Sequence, residues 1–333
     1  MRVLVLGGTV FLSRAVAEAA LAAGHDVTCA NRGVSGSAPA GASPVVLDRS
    51  EPGAVAAALG TESFDAVVDV ATMSAPWVRD ALDALADRTG HWTFVSSINA
   101  YADPGPRGGT VDQPTLAPLH GRPDPARQHT DPDLYGAAKV ASEDAVRDRL
   151  GDRALVVRGG LMCGPYDDMD RFGYWAARFA RGGPAVVPDV PGHPAQIVDV
   201  RDLAEWIVRC AADGTAGTFD GTGPRGTLAD LYAGIASAVG APDLELVGVP
   251  AETLQARDVN IWAGPRSLPF WLPGTHWGMV DRDATATLDA GLTTRPVAET
   301  ARAALDRERE LGLDRERKAG LTPAEEKALL DAV

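Results

Sequence analysis

The chain has 333 residues, 45% of them hydrophobic, enough to bury one large core or two of moderate size. Its 45 acidic and 31 basic residues leave a net charge of −14, and no lysine or arginine run could follow a phosphate backbone. Nucleic acid is therefore not an expected partner, and the acidity reads as a solvated surface. The three cysteines (Cys29, Cys163, Cys210) lie far apart, and neither they nor the six histidines cluster at ligand spacing. Neither a disulfide framework nor a bound metal is expected, and a reducing cytoplasm fits. Met1 runs quickly into Gly7-Gly8 without a signal-peptide pattern, and no apolar run approaches the roughly 18–20 residues that span a membrane.

Residues 2–6 are a short apolar run closed by Gly7-Gly8, which reads as a buried parallel strand. Leu12, Val16, Ala19 and Ala20 then follow a helical period that Gly24 stops, and 26–30 is a second strand. The stretch Gly7-Gly8-Thr9-Val10-Phe11-Leu12-Ser13 thus sits on a strand-to-helix turn, where backbone N–H groups and the helix N-terminus face a pyrophosphate. Such a turn wants glycine at its first, fourth and seventh places, held here by Gly7, Val10 and Ser13. A nucleotide site therefore rests on the surrounding strand–helix–strand context, with a plain turn as its rival. The second strand leads into Asn31-Arg32-Gly33, with no acid to accept a ribose 2′-hydroxyl. Arg32 offers a fork for a 2′-phosphate instead, which favours NADP(H) and leaves NAD(H) as the alternative; a surface arginine in a turn is the competing reading.

A Gly/Ser/Ala/Pro-rich loop over 34–42 leads to a third strand over 44–47, which ends at Asp48-Arg49. The carboxylate there can accept from an adenine amino group or cap a helix. A helix over 53–59, a strand over 66–69 leading into Val70-Ala71-Thr72, a helix over 75–88 and a strand over 91–96 follow. This alternation predicts an α/β fold with a Rossmann-like, doubly wound parallel sheet, whose ligands bind beyond the C-terminal strand ends. Gly7, Asn31, Asp48, Ala71 and Ser97 all fall at those ends.

Residues 102–130 carry Pro104, Pro106, Pro114, Pro118, Pro123 and Pro125. A loop this long is uncommon unless functional, so it reads as a substrate-side flap, with a linker as the alternative. Asp131-Pro132 opens a helix reaching about Leu150. On it Tyr135 and Lys139 stand one turn apart and share a face. With a serine from a strand end facing them, such a set moves a proton on and off a carbonyl or alcohol oxygen while a cofactor moves a hydride. Glu143, one turn further, offers Lys139 a surface ion pair as the plain alternative. A sixth strand over 154–158 enters Gly159-Gly160, and beyond it the pattern loosens. A helix over 170–181, a strand over 196–199 and a helix capped by Asp199 and Asp202 come next, then a strand over 218–220, a helix over 227–239 and a strand over 244–249. Trp262, Phe270, Trp271 and Trp277 interleave with prolines, as the roof of a substrate pocket, an interface, or the core of a loop-rich lobe. Thr322-Pro323-Ala324-Glu325 is a capping box that starts a last helix.

Residues 3–9, 31–33, 65–69, Ser96-Ser97 with Tyr101, Tyr135 to Lys139, Arg158-Gly159 and 198–202 resemble the short-chain dehydrogenase/reductase superfamily, in its extended or atypical, epimerase-like branch. The resemblance implies an NAD(P)-binding domain over 1–165, with 197–222 returning to it or to the boundary. It also implies a smaller C-terminal α/β substrate lobe over 166–196 and 223–333. Tyr135 would be the catalytic acid/base. Lys139 would bind the nicotinamide ribose and lower the phenol's pKa, and Ser97, rather than Ser96, would hold the substrate oxygen. The cofactor would meet Gly7, Thr9, Val10, Phe11, Leu12, Asn31, Arg32, Asp48, Arg49, Ala71, Lys139 and Gly160. Gly159-Gly160 stands where family members often have Pro-Gly. Ile98-Asn99 stands where sugar-nucleotide 4,6-dehydratases carry an acidic pair, which disfavours dehydration. The expected activity is NADP(H)-preferring oxidoreduction of a small metabolite. The alternatives are an NAD-dependent sugar-nucleotide epimerase and a non-catalytic dinucleotide- or RNA-binding regulator. Related enzymes are often dimers, so a homodimer is an open expectation.

Overall fold

A computed structural model of the chain describes residues 1–71, 74–122, 127 and 131–331. The apolar runs become strands β1 (Arg2–Leu6), β2 (Asp26–Asn31), β3 (Ser43–Val46), β4 (Phe64–Asp69), β5 (Thr89–Ser97) and β6 (Ala154–Gly159). Further along come β7 (Leu161–Cys163), β8 (Pro184–Asp189), β9 (Pro194–Ala195), β10 (Ile197–Asp199) and β11 (Gly217–Gly221). Seven of these form one parallel sheet in the order β11-β6-β5-β4-β1-β2-β3. The order reverses between β1 and β4, and this switch point opens a crevice at the C-terminal strand ends. The Rossmann-like expectation holds.

Both sheet faces are covered, which is why the strands read as continuous apolar runs rather than alternating ones. Helices α1 (Phe11–Ala22), α2 (Ala54–Leu59), α3 (Ala75–Leu85) and α4 (Pro132–Leu150) lie between the strands. On one face Val16 and Ala20 of α1 pack with Val5, Val157 and Trp206. On the other Val78 and Leu82 of α3 pack with Val67, Trp92, Phe94 and Val146. A third core holds Phe172, Trp175 and Phe179 of α5 (Arg171–Arg181) against Leu231, Tyr232 and Ile235, with Phe270 and Trp271. Trp175 stands 4.5 Å from Tyr232 between ring centroids. The second acid expected to cap helix α6 (Val200–Asp213) does not: Asp199 accepts from the Arg201 N–H, whereas Asp202 lies within the helix and accepts from Arg295.

Asp131 caps α4 as expected, accepting from the Asp133 and Leu134 N–H groups. The helix is held close to the end of β5 by Gly136, where an added Cβ would sit 1.9 Å from the Asn99 carbonyl oxygen. Gly136→Ala must push α4 away from Asn99, and we expect a loss of roughly 1–3 kcal/mol of stability. A lowered urea midpoint with unchanged slope would register it.

Residues 102–122, the described part of the expected flap, are tied down rather than loosely linking. The Leu116 and Leu119 N–H groups donate to Ala100 and Ala137 at 2.8 and 2.9 Å. Pro123 and Pro125 fall outside the described residues. The anchor that sequence reasoning missed is Arg282. Its guanidinium is buried, reaches the Thr110 carbonyl at 2.7 Å and Asp220 at 3.0 Å, and lies 3.6 Å over the Tyr101 ring. The Tyr101 hydroxyl donates to the same Asp220 at 2.6 Å. No local pattern announces a pairing 62 residues apart in sequence.

Candidate active site

The two hydroxyls at the end of β5 have different tasks. Ser96 donates to buried Glu143 at 2.5 Å. Ser97 donates to Asn99 Oδ1 at 3.0 Å and accepts from the Asn99 N–H at 3.2 Å, so it is held at the mouth of the site. Ser97 also acts on the Tyr135 phenol, favouring its phenolate.

Tyr135 and Lys139 do share a face of α4, with the lysine Nζ 5.6 Å from the phenol ring centroid. Lys139 is not in a surface ion pair with Glu143. It is buried, and Nζ donates to the carbonyls of Ala71 at 2.6 Å and Val95 at 2.7 Å. Glu143 is committed to Arg158 at 3.1 and 2.8 Å and to Arg147 at 2.7 Å. Burial lowers the Lys139 amine to about 7, against the opposing pull of Asp69 and Glu143. Burial pushes the Tyr135 phenol up to about 12. Against burial, Ser97 and Arg171 favour the phenolate.

A cleft of about 220 Å³ runs along the strand ends and is lined by Gly7, Thr9, Val10, Arg32, Asp48, Arg49, Ala71 and Trp77, among others. Gly7 has φ +139°, and a Cβ there would lie 3.0 Å from that of Ser13. Val10, in place of a glycine, has φ −129° and ψ 136°, extended backbone that any residue adopts; it takes up space but adds no strain. Val10 N-caps α1 without a side-chain hydrogen bond, so the first-turn N–H groups remain available to an anion. Ser13 turns inward and donates to the Val10 carbonyl at 2.7 Å. Leu12 is core, and Phe11 carries φ +40°, so these two residues offer backbone rather than side chains.

Asn31 and Arg49 line the cleft and are also bonded within the protein. Asn31 braces the glycine turn, donating to the Gly7 carbonyl and accepting from the Gly33 N–H, each at 2.9 Å. Arg49 is paired with buried Asp69 at 2.6 and 2.9 Å and donates to the Trp77 carbonyl. Gly160 lies outside the cleft: its N–H donates to Gly221, and a Cβ would meet Thr222 at 2.8 Å. Asp48 is exposed, and the Ser50 N–H holds its carboxyl below the usual range. Arg32 is exposed at the cleft. Trp77 is a lining residue that sequence reasoning missed, since a tryptophan in a first helical turn ordinarily reads as packing. Thr72 falls outside the described residues.

A second cleft of about 220 Å³ opens beyond Ser97, between Asn99, Tyr101 and Asp133 on one side and Ile261, Trp262 and His276 on the other. The aromatic stretch therefore does two things: Phe270 and Trp271 are core, and Trp262 faces this cleft. Among the described residues no group of three His, Cys, Asp or Glu is placed to hold a metal, and no helix is long and apolar enough to cross a membrane.

The parallel sheet, the glycine turn and the serine, tyrosine and lysine at the strand ends define a class, and the chain belongs to the NAD dependent epimerase/dehydratase family, matching it over residues 3–219. It is 33% identical over 317 residues to a 2′-dehydrokanamycin reductase of Streptomyces kanamyceticus, covering 90% of this chain and 84% of the relative. Among solved structures it resembles the enzyme WbmH of Bordetella bronchiseptica in complex with NAD+, at TM-score 0.65 and 18% identity over 93% of this chain and 99% of that one. It also resembles the UDP-glucose 4-epimerase of Thermus thermophilus in complex with NAD, at TM-score 0.63 and 20% identity over the same shares.

Proposed function

We propose that the protein is an NADP(H)-preferring reductase of a ketone on a small metabolite, with Tyr135 as proton donor, Ser97 as the substrate-oxygen ligand and Lys139 as the ribose ligand. The observation that carries this reading is that Tyr135 and Lys139 share one face of α4 close to the end of β5, where Ser97 lies, with Ala71, the acceptor of the Lys139 amine, lining the strand-end cleft and Asn99, the partner of Ser97, lining the second. A dinucleotide there is supported by Gly7, whose φ of +139° strains any other residue, and by the adjoining N-terminus of α1, which has no side-chain cap. When bound, the nicotinamide supplies hydride to the carbonyl carbon. The chain's part is to hold the carbonyl oxygen with the Ser97 hydroxyl and deliver the Tyr135 proton as negative charge develops there. Lys139 directs two donors to Ala71 and Val95, which aims the amine and leaves its remaining capacity for a ribose hydroxyl. Residues 1–165 with 197–222 would carry the cofactor, and 166–196 with 223–333 would shape the substrate cleft.

The name of the 33%-identical relative states reduction of a dehydro compound, which supports reduction over epimerisation. Asn99 supports it over dehydration, since a neutral amide already bonded to Ser97 has no proton to give or take at neutral pH. NADPH oxidation against a panel of ring and open-chain ketones tests the activity. A nucleotide sugar interconverted without net redox would replace this reading with the epimerase one. For the cofactor, Arg32→Ala is expected to weaken NADPH about 10–100-fold by removing a charge-assisted phosphate contact, and to leave NADH within about threefold. Tryptophan quenching reads this, because Trp77 lines the cleft. Equal losses for both cofactors would show that Arg32 does not read the 2′-phosphate.

A further inference from the structure

The flap and the segment that follows the aromatic stretch are fastened to each other. The Gly108 N–H of the flap donates to the Asp281 carbonyl at 2.7 Å, and the Asp283 N–H donates back to Gly109 at 2.9 Å. Between these two bonds, buried Arg282 donates to the Thr110 carbonyl at 2.7 Å and to Gln113 Oε1. The buried Asp281 carboxylate accepts from Arg107 of the flap and from Arg225, the latter at 2.6 Å. Just before it, Gly278 is buried in the 3₁₀ turns of Gly274–Val280. A Cβ added there would meet the Pro106 carbonyl oxygen and lie 2.7 Å from that of Pro104. These joins border the second cleft, which Tyr101 and Pro104 line from the flap's end and His276 and Met279 from the other segment. A wall bonded in this way has no free edge to swing, so the gap between the two segments is set before a substrate arrives.

We propose that Gly278 and Arg282 are positioning residues that clamp the flap to the 274–283 segment. The clamp makes the second cleft a slot of fixed width, and Gly278 sets the size of ketone it admits. The inference rests on the reductase reading, which puts the ketone in this cleft. Neither residue lines the cleft; both act through Pro104, His276 and Met279. Glycine at 278 lets the two backbones close to contact. Any side chain there drives Pro104 away from His276 and Met279 and widens the slot. Arg282 holds the same segments together by hydrogen bonds. A slot already in its bound shape loses no affinity to ordering the flap.

Two ring ketones and the whole chain test this. In Gly278→Ala the ratio of kcat/KM for 4-tert-butylcyclohexanone to that for cyclohexanone should rise by about 10–100-fold, the scale on which a pocket reads single methylenes. The change should lie mainly in KM, with kcat for cyclohexanone within about threefold of wild type. Removing Arg282 would leave the Asp220 carboxylate buried and unpaired, so Gln113→Ala is the milder way to loosen the clamp. It should move the ratio in the same direction by less, and it decides the matter if Gly278→Ala does not fold. Hydrogen exchange read by mass spectrometry should find residues 107–110 as slow in the free chain as with NADP+ and cyclohexanol bound, and faster in Gln113→Ala. Saturation-transfer NMR with NADP+ present should find trans-4-tert-butylcyclohexanol gaining on cyclohexanol in Gly278→Ala. Turnover with a size ratio unchanged in both variants, or residues 107–110 that exchange freely until ligand binds, would overturn the clamp and keep the reductase reading. A variant-dependent size preference in alcohol binding, without turnover of either ketone, would keep the clamp and overturn the reductase reading. Neither turnover nor alcohol binding would overturn both.

Discussion

Tyr135→Phe is expected to lower kcat for ketone reduction by about 10²–10⁴-fold, the usual contribution of a positioned general acid, while NADPH affinity stays within about twofold. The two readouts should separate because the strand-end cleft proposed for the cofactor is lined by residues other than Tyr135. Burial pushes the phenol to about 12, so it is protonated throughout neutral pH. That is the state a reductase needs at the moment of hydride transfer. Reduction should therefore not fall between about pH 6 and pH 9 through loss of this proton, and alcohol oxidation, which needs the phenolate, should rise with pH. Unchanged turnover in Tyr135→Phe would remove Tyr135 from the chemistry, whatever its position.

The second large effect concerns Lys139 and stability. Its folded pKa is near 7, and an unfolded lysine titrates near about 10.4. Between those values the unfolded chain holds a proton that the native chain does not, so native stability rises with pH across that window. The slope from this group approaches about 1.4 kcal/mol per pH unit at most, which over the window amounts to a few kcal/mol. Below about pH 7 the folded amine is protonated too, and the contribution levels at its minimum. Urea unfolding of wild type and Lys139→Met at pH 7, 8 and 9 isolates the term: the difference between them should move in favour of wild type as pH rises. A flat difference would mean that Asp69 and Glu143 hold the amine charged, and that Lys139 can act on Tyr135 as a cation after all.

The parallel sheet was legible because parallel strands buried on both faces read as uninterrupted apolar runs, as in 2–6 and 154–159, with Gly7 and Gly24 punctuating the first strand–helix unit. Tyr135 and Lys139 were legible because helical spacing alone puts them on one face, and Asp131-Pro132 marks where that helix begins. Those are local properties, and local sequence carries them. The bonds each residue makes within the protein were less legible. Asn31 and Arg49 line the strand-end cleft and also bond Gly7, Gly33 and Asp69, pairings that spacing along the chain does not announce. Glu143 is at salt-bridge spacing from Lys139 but pairs with Arg158, 15 positions away, because both are buried and must be satisfied where they lie. Arg282 beneath the flap carried no signal in sequence, since an arginine's partner exists only once distant segments have met. Spacing along the chain determined which strands and helices form and which face presents the phenol and the amine. Only the tertiary structure decided which charges pair with each other and which remain to meet a substrate, because pairing depends on distance and desolvation rather than on order in the chain.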